Sequence, residues 1–145
     1  MNRDILFVRG LLVFWSLWIT LVATTNALDA LVQLGVLSEG SWASGNYAYM
    51  VEVTSELPFP RARVGVLFAG VVAWEAIAMC LCWRAALRPD LPDRSYAAFG
   101  ALLGLMAVFI LADEVFIAYG LEHTHTGIFT ALLASFAVTR WMTPP

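Results

Sequence analysis

The sequence predicts an all-α membrane protein: four transmembrane helices in an up-down-up-down bundle with both termini cytoplasmic. Three observations lead there. Of the 145 residues, 61% are hydrophobic and only 13% charged, with a mean hydropathy of +0.77, whereas soluble domains carry roughly 45–50% apolar and about 25% charged residues. Uncharged stretches recur at lengths that suit spans of about 20 residues. The basic residues, all eight of them Arg, fall unevenly on alternate connections. This composition excludes a disordered chain, which needs high charge and low hydrophobicity. It also excludes a nucleic-acid partner, which needs a basic face rather than a net charge of −3. One polytopic domain, residues 1–145, accounts for the length, and the lipid bilayer is its first partner.

Span 1 covers about residues 5–28. Leu11 to Leu28 holds no charge, and Arg9 interrupts its extension back to Ile5. A secretory signal peptide also begins with a basic segment and an apolar core. Here, however, the core is long and leads into Asn26 and Asp29 rather than a small-x-small cleavage site, so it reads as a retained helix. Ala27 to Leu37 either continues this span or lies along the interface. Residues 38–60 form the outer loop, rich in Gly, Ser and Pro, with Pro58 and Pro60 stopping any helix that enters from that side. Span 2, about 64–86, has one charge near its centre, Glu75. A short loop at 84–95 contains Pro89 and Pro92. Span 3 covers about 96–118 and ends near Asp113 and Glu114. Span 4, about 121–142, contains a charge-free run of 14 residues from Thr126 to Thr139, roughly 21 Å of helix. It crosses the bilayer only if it begins near Leu121 and Arg140 snorkels to the interface.

Six arginines (Arg3, Arg9, Arg84, Arg88, Arg94 and Arg140) fall on one side and two (Arg61 and Arg63) on the other. The positive-inside rule then places both termini in the cytoplasm of a cell inner membrane, with residues 38–60 and 119–125 outside. Trp83, Tyr96 and Trp141 mark the cytoplasmic boundary; Trp42, Tyr47, Tyr49 and Tyr119 mark the outer one. Asp29, Glu39, Glu52, Glu56, Asp113, Glu114 and Glu122 all lie at or beyond the outer boundary.

Apolar surface does not drive association inside lipid, so helix contacts need small residues. Gly100, Gly104 and Ala107 on span 3, Gly127, Ala131 and Ser135 on span 4, and Ala69, Ala73 and Ala76 on span 2 each form such a stripe. They predict either the packing of this bundle or contacts with other subunits. The two cysteines, Cys80 and Cys82, diverge on a helix and predict no disulfide.

Glu75 is the sharpest chemical feature. A mid-membrane acid costs about 2.5–3.5 kcal/mol on insertion scales, so it must be either protonated or paired with a donor. It would carry a proton, contact a ligand or bond a neighbouring helix. Glu114 shares a helical face with Gly100, Gly104, Ala107 and Leu111, which directs it into the bundle. Asn26 and Asp29, neighbours at i and i+3, reach the same outer level. An outer pocket of Asn26, Asp29 and Glu114 follows, although ordinary polar helix ends would look the same. Its two carboxylates would not both ionise cheaply if the site is partly dry. His123 and His125 face one metal, zinc or copper, only if the backbone is extended, with Glu114 or Asp113 completing the site. No second helix carries a histidine for a b-type haem, and no nucleotide-binding loop or nucleophile motif occurs.

These features resemble a family of uncharacterised small bacterial integral membrane proteins that share a four-span domain of unknown function. The resemblance rests on Asn26 and Asp29 closing the first span before an outer loop. It rests also on Trp74-Glu75-Ala76 beside the family's Thr-Glu-Ala, on Asp113-Glu114-Val115-Phe116 beside its Gly-Glu-Trp-Phe, and on Gly127 opening the last helix. The paired His123 and His125 and the acidic Asp113 depart from the pattern. The resemblance implies four spans and no established activity.

Three functions compete. The first is a non-catalytic accessory subunit that packs against a larger membrane complex, with a lipid or quinone at the interface; the chain has little soluble mass for chemistry. The second is a homo-oligomeric transporter or proton/ion-conducting unit that uses Glu75 and Glu114. The third is a membrane enzyme or metal site built on His123 and His125.

Overall fold

The computed structural model describes residues 3–38, 40–55, 57, 59–88 and 92–143. They form five helices: α1 (Arg3–Gln33), α2 (Asn46–Thr54), α3 (Arg61–Leu87), α4 (Pro92–Val115) and α5 (Tyr119–Met142). No strand occurs among the described residues. Three helices, α1, α3 and α4, are long and apolar enough to cross a membrane. The fifth has 24 residues, as many as α4, but Glu122, His123, Thr124 and His125 dilute its first two turns.

The four long helices alternate in direction. Asn26 meets Glu75 and Thr20 meets Trp83, so α1 and α3 run antiparallel. Tyr96 meets Phe136 and Asp113 meets His125, so α4 and α5 do too. Between these pairs, α4 packs along α3, where Trp74 Nε1 donates to the Ala101 carbonyl at 3.0 Å. The helices pack in the order α1, α3, α4, α5, and α1 meets α5 more sparsely than the other neighbours. Short α2 rests on α1 and α3, at the end where α1 stops and α3 begins.

Several boundaries differ from the sequence expectation. α1 continues to Gln33, ending in a turn where Gly35 takes φ 71°. There the N–H of Gly35 reaches the Val32 carbonyl (2.9 Å) and that of Val36 the Leu31 carbonyl (2.9 Å). Residues 38–60 are not wholly irregular, since α2 lies among them. Its Tyr47, Met50, Val51 and Thr54 recur at helical spacing, a signal lost among the surrounding Gly and Ser. α3 starts directly after Pro60, whose φ of −62° and ψ of 135° stop any earlier helix. α4 starts at Pro92, where a missing N–H costs a first turn nothing, and ends at Val115. Glu39, Glu56, Pro58 and Pro89 lie outside the described residues.

The core is built on positions that return every seven residues, the repeat of left-handed helix packing. On α1 these are Val8, Leu12, Trp15 and Ile19; on α3, Ala78, Cys82 and Ala85; on α4, Phe99, Leu102, Leu105 and Met106. Leu132 comes from α5. Small residues do allow close approach, but they are Ala78, Ala85, Ala86 and Ala98, all buried. The expected stripes mostly face outward. Ala69, Ala73, Ala76, Gly100, Gly127 and Ala131 are exposed, and a Cβ at Gly100 or Gly127 would meet nothing within 4 Å. Only Gly104 receives a neighbour, the Trp74 ring, 3.1 Å from an added Cβ. The reason is volume: bulky Phe99, Leu102 and Leu105 fill the space between four helices, while glycine and alanine on one face cannot.

Candidate functional site

Glu75 lies on the core face of α3 between Phe68 and Cys82, all three buried. It has no exposed surface. Asn26 of α1 donates from Nδ2 to Glu75 Oε1 at 2.7 Å. Asn46, the first residue of α2, donates in turn to Asn26 Oδ1 at 2.8 Å. The two amides thus form a relay from the α2 helix to the buried acid. Among the described residues Glu75 Oε2 has no hydrogen-bond partner.

Asp29 lies three residues beyond Asn26 on the same buried side of α1. Its Oδ2 accepts from Ser44 Oγ at 3.1 Å and from the Tyr47 backbone N–H at 2.9 Å. Gln33 Nε2 approaches Oδ1 at 3.4 Å. Gly45 at the N-cap of α2 has no side chain to offer, so Ser44 Oγ takes the Asn46 N–H at 3.1 Å and the Asp29 carboxylate caps the next one, that of Tyr47. A negative charge at a helix N-terminus also complements the helix dipole.

A second polar pair lies across the bundle. Asp113 of α4 is 5% exposed, and its Oδ2 is 2.5 Å from His125 Nδ1 of α5. The Phe109 ring lies 5.1 Å from the imidazole, centroid to centroid. Between the two polar groups is a cavity of about 300 Å³. Asn26 and Glu75 line it from α1 and α3, Asp113 and His125 from α4 and α5, and α2 covers it with Tyr49, Met50 and Val53. The rest of its wall is mostly aliphatic and aromatic, and no arginine among the described residues contributes.

The residues singled out from the sequence divide in this frame. Asn26 and Asp29 share one end of α1 as expected, but they serve different partners, Glu75 and α2. Glu114 does not join them. It is exposed, as are Gly100 and Leu111 on its face, so the outer pocket of Asn26, Asp29 and Glu114 does not form. The buried acid of α4 is instead the adjacent Asp113, which continues the core positions Leu102, Met106 and Phe109. That continuation was the signal for it. Asn46 was hidden in the polar connection. His123 and His125 do not face one metal: both lie on helical α5, where residues two apart diverge by about 200°. His123 is exposed and His125 half-buried. Among the described residues no group of three His, Cys, Asp or Glu side chains is placed to hold a metal. Cys80 and Cys82 are both free.

Fold and site together define a helical bundle with three helices long and apolar enough to cross a membrane, and a largely apolar cavity carrying a buried acid whose second oxygen lacks a partner among the described residues. No family model, curated protein or solved structure matches the chain.

Proposed function

We propose that this chain is a four-span integral membrane protein of the inner membrane, with both termini cytoplasmic, that serves as a non-catalytic accessory subunit of a larger membrane complex. The spans are α1, α3, α4 and α5. The observation that carries this reading is the outward direction of the small-residue faces: Ala69, Ala73 and Ala76 on α3, Gly100 on α4, and Gly127 and Ala131 on α5. Inside lipid, small residues favour close approach of another helix, and this fold leaves those faces unused. The little chain outside the long helices suits a structural rather than a catalytic task.

The test is purification in mild detergent from native-level expression. Larger membrane partners should co-purify in fixed ratio, and Ala69→Leu with Ala73→Leu and Ala76→Leu should release them while the isolated chain keeps its helical signal. Purification as a lone monomer would defeat the reading. A stable homo-oligomer without partners would favour a second reading, an oligomeric transporter or proton-conducting unit. The observation behind that alternative is the buried Glu75 on the cavity wall, and Glu75→Gln should then abolish flux in liposomes. The histidine pair supports no third reading, because α5 points His123 and His125 apart.

A further inference from the structure

We propose that the cavity beneath α2 binds a small apolar organic amine, its ammonium group on Glu75 and its hydrocarbon among the surrounding rings. The inference is independent of whether the chain docks on a larger complex.

Size comes first. A cavity of 150 Å³ is known to hold benzene, so the present volume of about 300 Å³ admits a molecule of roughly a dozen non-hydrogen atoms. The wall is chiefly hydrophobic, with Trp18, Tyr49, Phe68, Phe109 and Phe116 among its side chains. Away from its few polar groups, such a wall favours an apolar guest over water.

The polar groups then select the head. Asn26 gives one of its two amide N–H donors to Glu75 Oε1 and accepts from Asn46 at its oxygen. Thr54 donates to the Met50 carbonyl at 2.6 Å. Asp113 and His125 occupy each other. Among the described residues that line the cavity, the fully buried polar side-chain atom without a partner is Glu75 Oε2, on a side chain with no exposed surface. Two other buried atoms also lack partners, Trp15 Nε1 and Thr139 Oγ1, but neither residue lines the cavity. A buried carboxylate oxygen without a donor is costly, and a buried charge without a counter-charge more so. An ammonium group supplies both a donor and the opposite charge. Aromatic faces stabilise the same cation. An anion would instead meet the Glu75 carboxylate, and no arginine among the described residues lines the wall to offset it.

Phenethylamine is a suitable probe, with 2-phenylethanol and phenylacetate as its neutral and anionic counterparts. The full-length protein in detergent is titrated with each, and binding is read from Trp fluorescence and from the midpoint of thermal unfolding. Phenethylamine should bind saturably and raise the midpoint. Binding by 2-phenylethanol should be at least about tenfold weaker, the loss expected for a charged hydrogen bond, and phenylacetate should not bind. In Glu75→Gln the preference for the amine over the alcohol should vanish, whereas partition into detergent would be unchanged by the substitution. Ala112→Leu fills the cavity from α4 while leaving Glu75 in the sequence and should weaken all binding, which decides the matter if Glu75→Gln fails to fold. Equal binding of amine and alcohol by the parent overturns the proposal, as does an undiminished amine preference in Glu75→Gln or full binding by Ala112→Leu.

Discussion

Asn26 ties three elements together through two hydrogen bonds, so its removal should be felt well beyond one side chain. In Asn26→Ala, Glu75 loses its donor and Asn46 its acceptor. Leaving a buried polar group unpaired costs about 1–3 kcal/mol, and denaturation in detergent should show a loss of that order. Glu75→Gln keeps an oxygen for Asn26 and should stay within about 1 kcal/mol of the parent, the difference between a charged and a neutral hydrogen bond. A neighbouring pair of substitutions separates the sequence expectation from the observed fold. Asp113→Ala strips His125 of its partner and should cost about 1–3 kcal/mol. Glu114→Ala, at an exposed position, should change stability by no more than about 0.5 kcal/mol. The reverse order would mean that α4 is rotated. Asn26, Asp29 and Glu75 were legible in the sequence because a polar residue within an apolar run must find a partner. Which partner each one finds was not legible, since consecutive acids such as Asp113 and Glu114 differ only in the side of the helix they occupy.

Helix ends show the same limit on a larger unit. α1 and α4 both finish with a left-handed residue whose bonds close the last turn. In α1 that residue is Gly35, at φ 71°, a conformation that glycine adopts without strain. In α4 it is Ile117, at φ 58° and 68% exposed. There the Ala118 N–H reaches the Asp113 carbonyl at 2.8 Å. A β-branched side chain in this region costs about 1–2 kcal/mol, with no burial of Ile117 to offset it. Ile117→Gly should therefore raise stability by about 1 kcal/mol once the greater freedom of unfolded glycine is counted. An unchanged or lowered unfolding midpoint would refute the strain. Phe116 and Ala118 on either side line the cavity, so the strained turn positions part of its wall. On α4 the glycines also part company. Gly100→Leu should be tolerated, while Gly104→Leu should displace Trp74 and break its 3.0 Å bond to the Ala101 carbonyl, with a shift in Trp emission as the readout.

At the scale of the whole molecule, the arginine asymmetry makes a prediction that packing alone does not. Reporter fusions after residues 45 and 90 should report opposite compartments, the first outside and the second cytoplasmic. The same compartment for both would remove the four-span topology. The sequence by itself determined the class of molecule: long apolar helices, their approximate limits, and the polar residues that had to be partnered. Composition and length suffice for this, because a backbone in lipid must satisfy its own hydrogen bonds and does so as helices. It did not determine which faces turn inward. A helix that is apolar all round has no marked stripe, and a small residue suits a close contact with this chain or with another equally well. Tertiary structure settled that choice through volume, placing Phe99, Leu102 and Leu105 inside and turning Ala73 and Gly100 out. The same rotation buried Asp113 instead of Glu114, brought Asn46 onto Asn26, and left Glu75 with one unpaired oxygen on the wall of a cavity.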